Sequence, residues 1–245
     1  MSADSQGPEK TIAERAYRTI REDIVSGILK PGEKLKIDIL RKRYGFGAAP
    51  LREALSRLSG DHLVNVIGQR GFVVAPISVH DAAEIGDLRK LLEVEALSRS
   101  IPRGDTAWEE RLITTYHRLS RLETGEDQGI KALDLWEKHN SAFHDATVSA
   151  CGSAWLLRLR EQLFRQHERY RRFSRIKTVW TRNIHAEHEA LFEAAMARDV
   201  ERAAGIISVH VQRTTDAVIA ALSPAGPGDD VTATAGHAAL ADAKP

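Results

Sequence analysis

One stretch, from Lys34 to Pro76, constrains this chain more than any other: KLKIDILRKRYGFGAAPLREALSRLSGDHLVNVIGQRGFVVAP. Ile37, Leu40 and Tyr44 space out as one face of a short helix. Gly45-Phe46-Gly47 interrupts it, and Pro50 suits the first turn of a second helix, where its missing N–H costs nothing. In that second helix Leu51, Leu55 and Leu58 recur at i, i+4 and i+7, which turns Arg52, Ser56 and Ser59 outward. Two β-prone runs follow, Leu63–Ile67 and Gly71–Ala75, joined through Gly68-Gln69-Arg70-Gly71, a hairpin tip carrying a cation. A helix presented by a short turn, with a basic-tipped hairpin beside it, can put one element in a major groove and the other at the adjacent minor groove. The pattern is that of a winged helix-turn-helix. It predicts double-stranded DNA as a partner, contacted by Arg41, Arg43, Arg52, Ser56, Arg70 and Gly71.

Charge agrees with this. Residues 1–76 hold 13 Lys+Arg against 9 Asp+Glu, whereas residues 77–245 hold 22 against 25. A basic N-terminal quarter on a slightly acidic body is the asymmetry of a localised phosphate footprint. Taken alone, Arg41-Lys42-Arg43 would be an ordinary solvated helix face; beside the helix-turn-helix spacing it reads as part of that footprint. The single cysteine, Cys151, leaves no internal disulfide and suits a reducing cytoplasm. No signal peptide or long apolar run points to a membrane, so a cytoplasmic location is expected.

A length of 245 residues suits two domains. From Ser78 onward the periodicity is helical, with helices expected near 79–101, 106–123, 129–149, 153–177, 182–197 and 199–222. The expected fold class is therefore mainly α: a winged helix over residues 10–76, then an all-α bundle of six or seven helices over 77–222. Residues 1–9 and the Ala, Gly, Pro and Thr-rich tail over 223–245 lack periodicity and are expected to be disordered.

Chemistry concentrates on three of these helices. Trp136, Asn140, Phe143, His144 and Thr147 share one stripe, as do Ile184, His188, Leu191, Phe192 and Ala195, and Ala203, Ile206, Ile207, His210, Thr214 and Ala217. Each histidine singly fits a hydrogen-bonded core residue. Three imidazoles and an amide oxygen aimed at one bundle interior also fit a metal cage, and imidazole suits several divalent metals, among them Zn, Ni and Mn. Spacing leaves both readings open. Arg89 interrupts the apolar stripe Ile85, Leu88, Leu92 and Ala96, where a cation is costly unless paired. It has two readings as well, a salt bridge to Glu93 one turn on or an inward-facing ligand anchor. The Arg169-Tyr170-Arg171-Arg172 run offers a second cation for such an anchor, but a solvated face or a dimer surface is the favoured expectation.

The run Pro50-Leu51-Arg52-Glu53-Ala54-Leu55-Ser56-Arg57-Leu58, Leu63-Val64 and the Gly71 wing resemble the GntR superfamily of bacterial transcriptional regulators. The opening helix from Thr11 to Gly27 and the Lys30–Leu35 turn fit the same template. That family usually carries Ser-Arg-Thr-Pro before the recognition helix. Gly47-Ala48-Ala49-Pro50 stands there in this chain, so Ala48 lacks the first family arginine while Arg52 matches the second. Ser141-Ala142-Phe143-His144, Glu187-His188 and His210 resemble the FCD effector domain of FadR-type members. The resemblance, over roughly residues 11–222, implies that Asn140, His144, His188 and His210 bind a divalent metal ion, and that Arg89, in Leu88-Arg89…Glu93, faces the effector. Within the family, Ala49–Leu55, Trp136…Phe143-His144 and Cys151-Gly152-Ser153 look like the carbon-starvation-induced, glutarate-responsive group.

With Asn140 in place of an aspartate the ligand set is neutral, which leaves the cation its full charge and favours an anionic effector. These features imply a homodimeric regulator, a repressor released from an inverted-repeat operator by a small carboxylate, with no catalytic residues. The competing reading is a metal-dependent hydrolase with a docking domain, since a His-rich site with open positions can activate water. No obvious general base accompanies the cage apart from Glu187 and Glu189, which flank His188.

Overall fold

The structure, a computed structural model, describes residues 11–68, 71–125, 129–173 and 183–223. Of the segments expected to be disordered, 1–9 and 223–245, all but Ser223, the C-cap of the last helix, lie outside the described residues, as does Arg70.

The N-terminal unit opens with α1 (Ile12–Val25), whose N-cap Thr11 accepts the Glu14 backbone N–H at 3.1 Å. Helix α2 (Ile37–Tyr44) stops at Gly45, whose φ of 72° is the left-handed conformation that only glycine adopts without strain. Helix α3 (Ala48–Gly60) follows, with Pro50 in its first turn as the sequence predicts. Strands β1 (Val64–Ile67) and β2 (Gly71–Val74) pair antiparallel in the register Val64↔Val74 to Ile67↔Gly71. The Lys30–Leu35 turn docks on the wing's edge, with Leu35 N–H donating to Phe72 O at 2.8 Å and Val74 N–H to Glu33 O at 2.9 Å. Ile20, Ile24, Leu40, Leu51, Leu55 and Leu58 close an aliphatic core with no buried polar side chain among the described residues.

Among the described residues, six longer helices form the second unit. They are α4 (Val79–Ser100), α5 (Thr106–Glu123), α6 (Ile130–Val148), α7 (Ala154–Phe173), α8 (Ile184–Met196) and α9 (Val200–Leu222), with a short 3-10 turn over Ile101–Arg103. The helix expected over 153–177 is seen over 154–173, and residues 174–182 lie outside the described residues. Helix α4 packs against α9 and α7, α5 against α6 and α8, and α8 against α9. The α4–α9 approach is close because of Gly86: a Cβ there would lie 2.4 Å from Thr215 Oγ1. Trp108, Leu112, Leu119, Phe143, Leu191 and Ile207 fill the apolar part of this core.

Two expectations are corrected. Leu88 is 51% exposed, so the inward stripe of α4 runs Ala82, Ile85, Arg89, Glu93 and Ala96 instead. The Arg169–Arg172 run is no solvated face, because Arg169, Tyr170 and Arg171 are all buried. The C-terminal half of α7 is enclosed on one flank by the bundle and on the other by the N-terminal unit. Gln166 donates to the Asp61 carbonyl at the end of α3, and Arg169 to the Ala75 carbonyl just beyond β2. Tyr170 donates to Asp81 at the start of α4.

Candidate metal and effector site

The inward stripes of α6, α8 and α9 bring His144, His188 and His210 together, with candidate ligand nitrogens all within 4.8 Å of one another. Their ring centroids are 4.9–5.3 Å apart and all three residues are buried. Carboxylates behind two of the rings decide which nitrogen faces inward. His188 Nδ1 lies 2.7 Å from Glu123 Oε1; an ionised carboxylate only accepts, so in the neutral tautomer Nδ1 carries the proton and Nε2 the lone pair. His210 Nδ1 lies 2.9 Å from Glu187 Oε2, and the same argument makes Nε2 its lone-pair nitrogen. An imidazole oriented by a carboxylate, with its other nitrogen presented to a cavity, is the usual support for a metal-ligating histidine.

The orphaned atoms agree with that use. Among the described residues Asn140 Oδ1, His144 Nδ1 and His188 Nε2 are buried without a hydrogen-bond partner. Asn140 Oδ1 and His188 Nε2 are electron-pair donors, and the neutral His144 ring offers a third; a divalent cation would satisfy all three, and leaving them bare is costly. Burial pushes His144 well below the usual histidine range, aided by His210, His188, Arg160 and Arg89, which keeps it in the neutral form a metal needs. Burial pushes the Glu123 carboxyl up, but His188, Trp136 and His185 together hold it below its ordinary value, so it stays an anion. Glu123 and Glu187 thus place negative charge directly behind the cage. That alters the expectation drawn from Asn140: the immediate ligands are neutral, but two carboxylates behind the imidazoles temper the cation's charge.

A second cluster adjoins the cage. Arg89, 3% exposed, donates from Nη2 to Glu93 at 3.0 Å and from Nη1 to His167 Nδ1 at 2.7 Å. The salt bridge to Glu93 is therefore made, yet Arg89 Nε still has no partner among the described residues. Burial, with Arg171 and Arg160 nearby, lowers the Arg89 guanidinium to about 10 despite Glu93; it remains a cation at neutral pH. Guanidiniums only donate, so His167 Nδ1 accepts from both Arg89 and Arg171, and its Nε2 carries the proton beside Thr215 Oγ1 at 3.3 Å. Burial and the two arginines hold His167 well below its usual range, in the neutral form.

Sequence reasoning missed Glu123, Arg160 and His167. Glu123 is the last residue of its helix and reaches His188 across 65 positions of sequence, a contact no periodicity encodes. The structure does join His144, His188 and His210; Asn140 is buried one turn before His144, and the Arg89 charge is felt at His144. It also weakens the hydrolase reading: Glu187 is engaged by His210 and by Arg213 at 3.0 Å, and Glu189 is exposed.

The DNA-contact candidates lie on the other unit. Arg52 and Ser56 are exposed on the outer face of α3, and Gly71 opens β2. Arg41 is exposed, 3.8 Å from Asp38, while Arg43 is drawn toward Asp23 at 3.3 Å and over the Tyr44 ring at 5.3 Å.

A helix-turn-helix with a two-stranded wing, followed by a helical bundle with buried histidines, defines a class, and comparison with known families shows it directly. The profile described as "Bacterial regulatory proteins, gntR family" matches residues 12–74, and the profile described as "FCD domain" matches residues 84–213. The chain belongs to the GntR family of DNA-binding transcriptional regulators, in its FCD-containing branch. It is 40% identical over 211 residues to the HTH-type transcriptional regulator BphR of Paraburkholderia xenovorans, covering 85% of this chain and 86% of that one. It is 39% identical over 199 residues to the HTH-type transcriptional repressor GlaR of Escherichia coli, covering 80% and 90%. Among solved structures, Escherichia coli McbR/YncC shares the fold with a TM-score of 0.70 at 20% identity, covering 85% of this chain and 97% of that one. These relatives are transcriptional regulators, not enzymes. No helix among the described residues is long and apolar enough to cross a membrane.

Proposed function

We propose that this chain works as a homodimeric repressor, released from an inverted-repeat operator when a small carboxylate binds at a divalent-metal site. The observation that carries the reading is the set of three buried imidazoles with ligand atoms within 4.8 Å, two of them backed by carboxylates. His144, His188, His210 and Asn140 would hold the ion, with Zn, Ni or Mn all suited to this donor set. When bound, the ion supplies a Lewis-acidic anchor for a carboxylate oxygen at its open positions. Arg89 supplies a cation on the effector's other side, so a short dicarboxylate such as glutarate fits both. The repressor sense is taken from GlaR, whose name carries it.

Helix α7 supports a route from this site to DNA. One flank carries His167, clamped by Arg89 and Arg171; the other carries Gln166 and Arg169 on the Asp61 and Ala75 carbonyls. A ligand with different affinity for two settings of this helix would shift the DNA-binding unit between them. Residues 10–76 would then be the reading unit and 77–222 the effector and dimerisation unit. Leu88, Leu91 and Leu159, exposed on adjoining faces of α4 and α7, offer an apolar surface for the second copy.

Operator release across C3 to C7 mono- and dicarboxylates, with and without metal, tests the reading. Release by dicarboxylates that chelator abolishes is the expected result; release by neutral analogues alone would refute it. On the DNA side, Arg52→Ala is expected to cost about 1–3 kcal/mol on the operator and much less on random DNA, since base contacts specify and phosphate contacts position. Equal losses on both would remove Arg52 as a base reader.

A further inference from the structure

Arg160 is the second buried arginine on Glu93. It lies on α7, 2% exposed, and donates from Nε to Glu93 Oε2 at 2.9 Å and from Nη1 to Asp145. Arg89 takes the other oxygen of the same Glu93. One buried carboxylate is therefore shared between two buried guanidiniums, and Asp145, the further acid on Arg160, is 54% exposed and screened by solvent. Both guanidiniums lie over the Phe164 ring, Arg89 at 4.6 Å and Arg160 at 5.1 Å. His144 packs on that ring too, with centroids 5.8 Å apart, so one aromatic wall borders both the histidine cage and the guanidinium pair.

Two cationic donors at this wall are buried and lack a partner among the described residues: Nε of Arg89 and Nη2 of Arg160. The neighbouring Arg171 provides the contrast. It also lies over Phe164, at 5.3 Å, but it grips Glu137 with Nε at 3.1 Å and Nη2 at 2.7 Å. A bidentate carboxylate is what a buried guanidinium ordinarily has. Arg89 and Arg160 instead take one oxygen each of Glu93, and Arg160 reaches the exposed Asp145 with a separate nitrogen.

We infer that Arg160 is a second effector-binding residue, forming with Arg89 a paired guanidinium anchor for one carboxylate of a dianionic ligand. This rests on the carboxylate-effector reading and deepens it: the ligand's first carboxylate goes to the cage, and its second meets the two donors that Glu93 and Asp145 leave bare. The site then selects dicarboxylates over monocarboxylates of the same length, because a neutral tail leaves both donors bare.

Isothermal calorimetry of the full-length, metal-loaded protein with glutarate and with butyrate tests this. Arg160→Gln is expected to weaken glutarate binding roughly 10- to 100-fold while butyrate changes by less than about threefold. Arg160→Lys keeps a cation beside Glu93 and so guards against misfolding. It is expected to lose at least about tenfold for glutarate, because an ammonium cannot present the planar fork. Unchanged glutarate affinity in both variants, or equal losses for glutarate and butyrate, would overturn the role of Arg160 and leave the metal–carboxylate reading standing. A wild-type protein that binds neither acid would overturn that underlying reading and this inference with it.

Discussion

The two halves of this molecule keep their polar residues in opposite places. Among the described residues, every buried polar or charged side chain lies at or beyond Arg89, and the N-terminal unit has none. The N-terminal unit closes an ordinary aliphatic core and sets its cations outside, where they meet a polyanion. The helical bundle puts arginines, glutamates and histidines at its centre, where they can meet a small anion or a metal ion. One half offers its charges on its surface and the other keeps them in its core. A surface site asks little of folding stability, whereas a buried charged site stands only if each charge is paired or awaits a ligand.

This contrast can be broken first by mutation. Glu93→Gln removes the carboxylate shared by Arg89 and Arg160 and is expected to cost about 3–5 kcal/mol, as expected when one partner of a buried pair is lost. Leu55→Ala in the N-terminal core, fully buried, is expected to cost about 2–5 kcal/mol through the cavity it leaves. Size therefore does not separate the two, but pH does. Burial alone would raise the Glu93 carboxyl, yet Arg160 and Arg89 hold it below its ordinary value in the folded protein. A depressed carboxylate contributes its full stability above the unfolded value, about 4.3, and loses it as pH falls through the lower folded value. The gap between wild type and Glu93→Gln should accordingly narrow below about pH 4, while the gap for Leu55→Ala stays level. Hydrogen exchange, which reads the two halves separately, is the measurement. A pH-independent gap at Glu93 would mean the carboxylate is not ionised in the fold.

Metal removal should sharpen the comparison at a somewhat smaller scale. An ion held by α6, α8 and α9 stabilises only the state in which those helices are assembled, by about 2.7 kcal/mol when free metal is a hundredfold above its dissociation constant. Chelation should lower the melting temperature and raise exchange in the bundle, with the N-terminal core nearly unchanged. Elemental analysis showing no metal, together with no response to added Zn, Ni or Mn, would return the three histidines to ordinary core residues.

The smallest expected effect joins the halves. Gln166→Ala removes a hydrogen bond to the Asp61 carbonyl without touching either site. It should change effector-induced operator release by about 0.5–2 kcal/mol of coupling, with effector affinity measured without DNA unchanged. If release is unaltered, α7 does not carry the signal through this contact.

The periodic elements were legible in the sequence because each depends on residues close along the chain. Leu51, Leu55 and Leu58 state a helix face by themselves, Gly45 states a left-handed stop, and the inward stripes bearing His144, His188 and His210 follow from a 3.6-residue repeat. Where local spacing was all there was, it also misled. Leu88 looked like a core position beside Arg89, and the arginine run after Glu168 looked like surface, because hydrophobicity alone ranks leucine inside and arginine outside.

What the sequence determined by itself was the winged helix-turn-helix, the helical bundle behind it, and three histidines on inward faces. Only the tertiary structure decided that those faces meet, that Glu123 and Glu187 stand behind two of the imidazoles, and that Arg89 and Arg160 divide one carboxylate. The reason is physical. A helix face is a property of neighbours three and four residues apart, whereas the ionisation, tautomer and partner of a buried group depend on whichever distant side chains share its desolvated surroundings.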